Sequence, residues 1–393
     1  MDDPCSVAPQ YVNSDQDFEA AVARLLAQPD PVVALDTEFM REKTYYAKLC
    51  LLQIASAHEL LLVDALRVTN FQPLAALLSD TRVMKVFHAG AQDIEILYQT
   101  CGVVALPYFD TQDAAELIGY SEQVGYGALV AGELKTTLPK ADSFTDWARR
   151  PLTKDQLRYA ADDVVYLLQL YPILHEKLLS RGRLSWLQET ISHRTDLAVL
   201  DPDPYEAWRK VKRVGQLKGV HLAVAREVTA WRELQARKMD VPRRWVLSDE
   251  SAIEIARRLP RTEEEMLQIR GIDLRSESRR RSLFHALEAG RACPQEKWPV
   301  LPASKRPNRD VSVAIDLMSA LVRLRAREHQ ITSTLLATRS QLEALALHPD
   351  DQAPLLRGWR REVVGAELLR LLHGELVLSL QGDRLKVEQK KGE

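Results

Sequence analysis

The stretch Val32-Val33-Ala34-Leu35-Asp36-Thr37-Glu38 decides the fold class, because an unbroken apolar run ends there in two acids. Four apolar residues in a row indicate a strand that is buried on both faces. Similar runs lie at Leu49–Ile54, Glu59–Val63 and Val83–Phe87, and helical stretches lie at Phe71–Leu78 and Ala91–Tyr98. Strands that alternate with helices predict an α/β layer domain with a mixed sheet.

A long helix and two proline-rich segments organise the rest of the chain. Thr153-Lys154-Asp155-Gln156 has the spacing of a capping box, and an amphipathic run then continues to about Leu179. Asp201–Pro204 interrupts helix and strand alike, and Cys293–Asn308 contains four prolines, which suits a stiff connector. We therefore expect one domain at 1–203, a second at 206–291, a linker at 292–307 and a third domain at 308–388.

The second and third of these domains are related in sequence. Ala230–Arg237 aligns with Ala320–Arg327, and at the same offset Trp245 matches Leu335. Apolar positions shared between helical segments predict two small all-α helical domains related by duplication. Chance similarity between amphipathic helices is the alternative.

Composition excludes several classes of protein. A chain of 393 residues is longer than a domain with a single hydrophobic core usually is, so we expect more than one domain. Its residues are 46% hydrophobic and 27% charged, which is typical of globular proteins. No apolar stretch approaches the ~18 residues needed to span a bilayer, and Met1–Gln10 lacks the pattern of a secretory signal. Cys5, Cys50, Cys101 and Cys293 are too widely spaced for a zinc site or a disulfide framework. We expect a cytoplasmic protein without a membrane partner.

The net charge of −2 hides an asymmetry along the chain. Residues 1–200 carry 17 basic and 27 acidic residues, whereas residues 201–393 carry 36 basic and 28 acidic residues. An acidic half could bind metal cations and a basic half a polyanion. Random drift of surface charge is the alternative.

Three short segments carry the candidate chemistry. Asp36 and Glu38 are two residues apart on a strand, so both carboxylates face the same side. Asp93 follows His88 at the start of a predicted helix, where a helix-capping acid is the plainer interpretation. Tyr159 and Asp163 lie four residues apart and share a helix face. Each segment taken alone also fits a structural role.

Together the segments bring four carboxylates and a phenol, without a nearby cysteine or histidine ligand set. Ligands that are all oxygen atoms favour hard cations such as Mg²⁺ or Mn²⁺. Two carboxylates ~4 Å apart repel by roughly 4 kcal/mol at an effective dielectric near 20, so four of them need compensating cations. Two divalent ions would balance the charge, and such a pair is used for phosphodiester hydrolysis.

The segments also resemble the motifs of a known family. Leu35–Phe39, His88–Asp93 and Tyr159–Asp163 resemble the three exonuclease motifs of the DEDD superfamily, in its tyrosine-bearing branch. Phe39–Tyr46, Gly125–Leu129 and Asp146–Leu152 narrow the resemblance to the ribonuclease D family, and the two repeats resemble its helicase-and-RNase-D C-terminal (HRDC) domains. The resemblance implies a ribonuclease H-like α/β exonuclease domain followed by two HRDC-type domains.

The resemblance implies a 3′-5′ exoribonuclease that trims tRNA precursors and other structured RNA and releases nucleoside 5′-monophosphates. By matching positions, Asp36, Glu38, Asp93 and Asp163 would hold two divalent metal ions, Mg²⁺ or Mn²⁺. Tyr159 would orient the attacking water.

Contacts to RNA are further expectations. Phe39 and Met40 could stack on the terminal base, Arg149 and Arg150 could bind phosphates, and His88 is included as a candidate substrate contact. The alternative for Phe39 and Met40 is burial in the core, and that for the two arginines is ordinary exposure at the surface. The alternative for His88 is a polar residue whose hydrogen bonds are satisfied within the protein. In the basic helical domains, the candidates for phosphate contacts are Arg243-Arg244, Arg279-Arg280-Arg281 and Lys305-Arg306.

Two other functions stay open from sequence. One is a DNA-directed 3′-5′ exonuclease with the same metal core, because selection of the sugar depends on contacts to the 2′-hydroxyl. The other is a noncatalytic nucleic-acid-binding protein, which the presence of all four acids disfavours.

Overall fold

The computed structural model describes residues 7–29, 31–139, 145–272, 275–301, 310–349 and 353–390. These residues form two compact units. The first contains the described residues up to Glu38, those of Cys50–Thr195 and those from Asp310 onward. The second contains Phe39–Leu49 and the described residues from Asp196 to Leu301.

A mixed six-stranded sheet is the centre of the α/β region in the described residues. In chain order its strands are β1 (Gln10–Val12), β2 (Val32–Met40), β3 (Lys48–Ala55), β4 (Leu60–Asp64), β5 (Met84–Phe87) and β6 (Tyr108–Asp110). Their order across the sheet is β1-β4-β3-β2-β5-β6. β3 and β4 are antiparallel, whereas β2 and β5, and likewise β5 and β6, are parallel. The predicted mixed sheet is confirmed, and β1 and β6 are short strands in addition to the predicted ones.

Burial explains why the central strands contain almost only apolar residues. All five residues of β4 and seven of the eight residues of β3 are buried. The helices of the α/β region cover the sheet, and they are α1 (Asp15–Leu26), α2 (Gln72–Ser79), α3 (Ala91–Cys101), α4 (Thr111–Ile118), α5 (Tyr126–Leu134), α6 (Lys154–Ser180) and α7 (Leu184–Arg194). The capping box predicted for α6 is present, because the side chain of Thr153 accepts from the backbone of Gln156 and the reciprocal bond is also made.

The second unit is helical. Its helices are α8 (Leu197–Leu200), α9 (Val220–Met239), α10 (Arg243–Val246), α11 (Asp249–Arg258), α12 (Glu263–Leu267) and α13 (Glu277–Arg291). The apolar faces of α9 to α13 form one core, to which Trp231 and Leu283 belong, and Trp208, which lies between α8 and α9, joins it. The loop after β2 packs here too, because the backbone N–H groups of Tyr45 and Tyr46 donate to Asp240.

Further helices lie in the described C-terminal residues of the first unit. They are α14 (Ser312–Glu328), α15 (Ser333–Leu336), α16 (Arg339–Leu347), α17 (Gly358–Arg360) and α18 (Ala366–Leu372), the last two joined by a π-helical turn at Arg361–Gly365. The first and last residues of α15 come ninety residues after those of α10, which is the offset of the sequence alignment. A hairpin of β7 (Leu376–Gln381) and β8 (Arg384–Gln389) is an addition to the predicted helical arrangement.

The C-terminal helices pack against the α/β region within the first unit. The indole rings of Trp186 and Trp359 stack with centroids 4.4 Å apart. The guanidinium of Arg183 donates to the carbonyl oxygens of Leu117 and His329. The predicted limits of three separate domains stay a prediction.

Among the described helices, none is both long and apolar enough to cross a membrane.

Candidate active site

The end of β2 presents two acids on one side and a threonine on the other. Asp36 and Glu38 are partly exposed, whereas Thr37 between them is buried. Because side chains alternate across a strand, the two carboxylates share a face and the threonine points away from it. β2 and β5 are parallel, so their carboxyl ends lie at the same edge of the sheet, where ligands commonly bind in α/β folds.

Asp93 lies in the first turn of α3, as the sequence predicts, and is buried. The hydroxyl of Thr37 donates to Asp93 Oδ1 at 2.5 Å. This bond fixes the start of α3 against β2. The threonine is a site residue that sequence reasoning missed, and its position between two candidate acids was the only available signal.

α6 carries the third segment and packs against β4 and β5. Tyr159 and Asp163 lie one turn apart, and the hydroxyl of Tyr159 donates to the carboxylate of Asp163. The long helix, fixed at its N-terminus by the capping box, thus places the phenol next to the acids of β2.

Three of the four predicted acids converge. Carboxylate oxygens of Asp36, Glu38 and Asp163 all lie within 4.8 Å of one another, which makes this a candidate metal site. Asp93 is outside that group among the residues that the structure describes, although it interacts electrostatically with Asp36 and Glu38. Asp93 as a metal ligand stays a prediction.

The electrostatics of the cluster are those of crowded acids. Burial, and then repulsion from Asp163 and Asp93, together raise the pKa of Glu38 to about 8. Burial likewise raises the pKa of Asp163 to about 7 and that of Asp93 to about 6. The pKa of Asp36 is well above its ordinary value, chiefly through burial and then through Asp93, Asp163 and Glu38. Without a counter-charge the cluster therefore retains protons.

A cavity of about 700 Å³ adjoins the acids on the α6 side and is lined by Tyr159 and Asp163. Two further aromatic residues line it. The hydroxyl of Tyr126 donates to the backbone carbonyl of Asp162 at 2.9 Å, and the ring of Trp147 lies 6.1 Å from that of Tyr159. Neither was among the predicted site residues, although both lie in segments that carry the family resemblance.

His88 is enclosed by its neighbours. Its Nδ1 lies 2.9 Å from the Thr111 hydroxyl and its Nε2 lies 3.1 Å from the Val124 carbonyl oxygen. Burial lowers the pKa of the ring. Both ring nitrogens have hydrogen-bond partners within the protein, so His88 has the geometry of a satisfied polar residue. Its contact with substrate stays a prediction.

The two predicted arginines differ. Arg150 donates to both oxygens of Asp64 and to three backbone carbonyls, including that of Cys50, so its guanidinium is occupied within the protein. Arg149 is exposed. Phe39 and Met40 are half-buried at the end of β2.

Among the basic candidates of the helical regions, Arg243 is bound to Glu233 and Arg281 to Glu277. Arg244 is exposed. Lys305 and Arg306 lie outside the described residues.

Comparison with known proteins accounts for this combination of features. Residues 9–179 match a family model described as 3′-5′ exonuclease, and residues 221–279 match the HRDC domain. Ribonuclease D of Gluconacetobacter diazotrophicus is 38% identical over 382 residues, which are 96% of each chain. The chain belongs to the ribonuclease D family. As a member it is a hydrolytic 3′-5′ exoribonuclease.

Further ribonuclease D sequences and a solved structure agree. Ribonuclease D of Nitrobacter hamburgensis is 39% identical over 359 residues, 90% of this chain and 93% of the relative. The crystal structure of Escherichia coli RNase D, described as an exoribonuclease involved in structured RNA processing, matches with a TM-score of 0.79 and 30% identity over 94% of this chain and 99% of its own. The predicted fold, an α/β exonuclease followed by a helical HRDC region, is confirmed. The second HRDC-type repeat stays a prediction.

Proposed function

We propose that the chain removes nucleotides from the 3′ ends of structured RNA, tRNA precursors among them, with two divalent metal ions held by Asp36, Glu38, Asp93 and Asp163. The observation that carries the proposal is the convergence of Asp36, Glu38 and Asp163, whose carboxylate oxygens lie within 4.8 Å of one another.

The donor set fits hard divalent cations. All candidate ligands are carboxylate oxygens, which Mg²⁺ and Mn²⁺ prefer over the nitrogen and sulfur donors that zinc takes. Burial and crowding raise the pKa values of Asp36, Glu38 and Asp163, so cations bound among these acids would favour their ionised forms. When bound, two such ions lower the pKa of a water molecule and neutralise the charge on a departing 3′ oxygen.

Tyr159 is the residue best placed to orient the attacking water. Its hydroxyl donates to Asp163, and burial together with the nearby acids keeps its pKa well above the ordinary value. The phenol therefore stays protonated at neutral pH and acts as a hydrogen-bond donor and acceptor. In this proposal Tyr159 holds the attacking water molecule next to Asp163. The product of the reaction is a nucleoside 5′-monophosphate.

The cavity beside Tyr159 provides space for the 3′ end. Tyr126 and Tyr159, which are partly exposed, line it, and aromatic faces stack on single-stranded bases. Phe39, Met40 and Arg149 remain proposed contacts to the same strand. The net positive charge of residues 201–393 suits the phosphates in the body of the RNA. A cytoplasmic location stays a prediction.

The experiment is product analysis on a tRNA with a 3′ extension, and on a DNA oligomer of the same sequence. Wild type with Mg²⁺ or Mn²⁺ should release 5′-monophosphates from the RNA, and a chelator should stop it. Asp163→Asn should reduce the rate by more than about a hundredfold, since even outer-shell partners of a metal can matter that much.

Asp80→Asn is the matched control, because it makes the same chemical change at an exposed ion pair with Arg82 in the same unit. Its rate should equal that of wild type. Trimming that persists in chelator, or in Asp163→Asn, would contradict the metal assignment. Faster trimming of DNA than of RNA would favour the DNA-directed alternative.

A further inference from the structure

The turn between β5 and α3 is held by groups from outside its own segment. Only His88, Ala89 and Gly90 separate the strand from the helix. Ala89 has a φ of +56°, in the left-handed region that residues with a Cβ seldom adopt. A Cβ on Gly90 would lie 2.5 Å from that of Phe87. The backbone of this turn is therefore confined to one conformation.

α3 also begins without a side-chain cap of its own. The N–H groups at the start of a helix need acceptors, and a buried N–H without one is unfavourable. Because Asp93 lies in the first turn of α3, whatever holds the beginning of this helix also sets the position of the Asp93 carboxylate.

Asp110, the last residue of β6, supplies the acceptor. Its Oδ1 accepts from the N–H of Ala89 at 3.1 Å, and its Oδ2 accepts from the N–H of Gly90 at 2.9 Å. Oδ1 also accepts from Gln112 at 2.9 Å, which caps α4. The next residue, Thr111, donates its hydroxyl to the carbonyl of Phe87 at 3.0 Å. Asp110 at the end of β6 and Thr111 directly after it therefore bind the backbone of the turn and of the strand before it.

Arg194 compensates this carboxylate. The side chain of Asp110 is 0% exposed, and a buried acid is unfavourable unless it is paired. Nη1 of Arg194, the last residue of α7, lies 3.2 Å from Asp110 Oδ2 and 2.6 Å from Asp113 Oδ2. Its Nη2 donates to Asp113 Oδ1 at 2.7 Å. The guanidinium fork therefore holds the two acids in a fixed arrangement.

We propose that Asp110 and Arg194 are positioning residues for the Asp93 carboxylate. Neither belongs to the group of converging acids. They act through the turn at Ala89 and Gly90, which fixes the first turn of α3, and the bond from Thr37 then holds Asp93 against β2. The inference rests on the proposed function, in which Asp93 helps to hold the metal ions.

The competing explanation is that Asp110 only stabilises the fold, since it also caps α4. A structural role and a positioning role both lower stability when they are removed. Only the positioning role weakens metal binding and slows the chemical step at temperatures where the variant is fully folded.

The test uses the full chain with Asp110→Asn, which removes the charge and keeps the shape, and Arg194→Lys, which keeps the charge and removes the fork. The control is Glu133→Gln. Glu133 is likewise a buried acid, 6% exposed, bound to Lys177 and to the hydroxyl of Tyr120, and it has no contact with the turn. Mn²⁺ affinity is measured without RNA by the electron paramagnetic resonance signal of free Mn²⁺, and kcat and KM are measured on a 3′-extended RNA.

Asp110→Asn should bind Mn²⁺ about tenfold more weakly, the lower end of the effect of outer-shell partners. Its kcat should fall while its KM for RNA stays unchanged, and the amides of Ala89 and Gly90 should exchange hydrogen faster. Arg194→Lys should shift the same quantities less, and Glu133→Gln should lower only the thermal midpoint. If the Asp110 variant does not fold, Arg194→Lys provides the same measurements.

Variants that lose stability yet keep wild-type Mn²⁺ affinity and kcat would overturn the positioning role alone. Wild type that binds no Mn²⁺ would instead overturn the proposed function on which the inference depends.

Discussion

Removing one acid from the cluster should stabilise the metal-free protein while it abolishes trimming, and Glu38→Gln is the sharpest case. Glu38 has a pKa raised from an ordinary 4.5 to about 8, first through burial and then through Asp163 and Asp93. Each pKa unit corresponds to about 1.36 kcal/mol. Ionising Glu38 in the folded, metal-free chain therefore costs about 5 kcal/mol at pH 8, which is an upper bound because the group is partly exposed to solvent.

The sign follows from proton binding. Between pH 4.5 and pH 8 the unfolded chain has released the Glu38 proton and the folded chain has kept it. Stability that is present at low pH is therefore lost as the pH rises through this window. Asp163, with its pKa raised to about 7, contributes in the same direction over a narrower range. Glutamine has no proton to release, so Glu38→Gln removes the contribution of Glu38 to this loss.

The assay is thermal unfolding in chelator at pH 5 and pH 8. Titrations away from the cluster are common to both proteins, so the difference between their midpoints reports Glu38 together with its effect on Asp36. The variant should melt about 5 to 10 °C above wild type at pH 8, and the two midpoints should nearly coincide at pH 5. Saturating Mn²⁺ should stabilise wild type more than the variant. Equal pH dependence of the two proteins would refute the electrostatic reasoning.

Three further substitutions test other parts of the structure. Tyr159→Phe should lower kcat by about a hundredfold with little change in the KM for RNA, since positioned proton donors and acceptors contribute at least that much; equal loss of affinity and rate would remove its role. Arg150→Met should destabilise the α/β region by about 3 kcal/mol in chemical unfolding, because it leaves the buried Asp64 carboxylate without its cationic partner. A raised KM for RNA without loss of stability would instead support Arg150 as a contact to RNA. Trp359→Ala should cost about 3 kcal/mol, because it removes a buried indole that stacks on Trp186. An unchanged unfolding midpoint would show that this contact does not stabilise the unit.

Sequence patterns predicted the elements whose signals are local. The apolar run before Asp36 predicted β2, and Thr153 with Gln156 predicted the start of α6, because burial and capping leave a signature within a few residues. Two three-residue strands, β1 and β6, are too short for any periodicity. The hairpin of β7 and β8 did have a signal, since Gly382-Asp383 separates an apolar run from one in which apolar and polar residues alternate.

Sequence patterns indicated which residues belong to the candidate site better than they indicated how the side chains are arranged. The family motifs identified the acids and Tyr159, yet they did not show that Asp93 is bound by Thr37 and lies outside the group of three. Arg150 is a candidate phosphate contact from the sequence alone, which does not reveal that its side chain binds Asp64, eighty-six residues away in the chain. Contacts of this kind depend on how the sheet assembles, so spacing along the sequence does not reveal them.

The proposed function depends on the acids of β2 and α6 binding two hard cations. Anomalous diffraction from crystals grown with Mn²⁺ and a short RNA tests it most directly. We expect two anomalous peaks roughly 3.5 to 4 Å apart, in contact with the carboxylates of Asp36, Glu38 and Asp163. Fully occupied Mn²⁺ elsewhere on the protein, with no peak at these three residues, would contradict it.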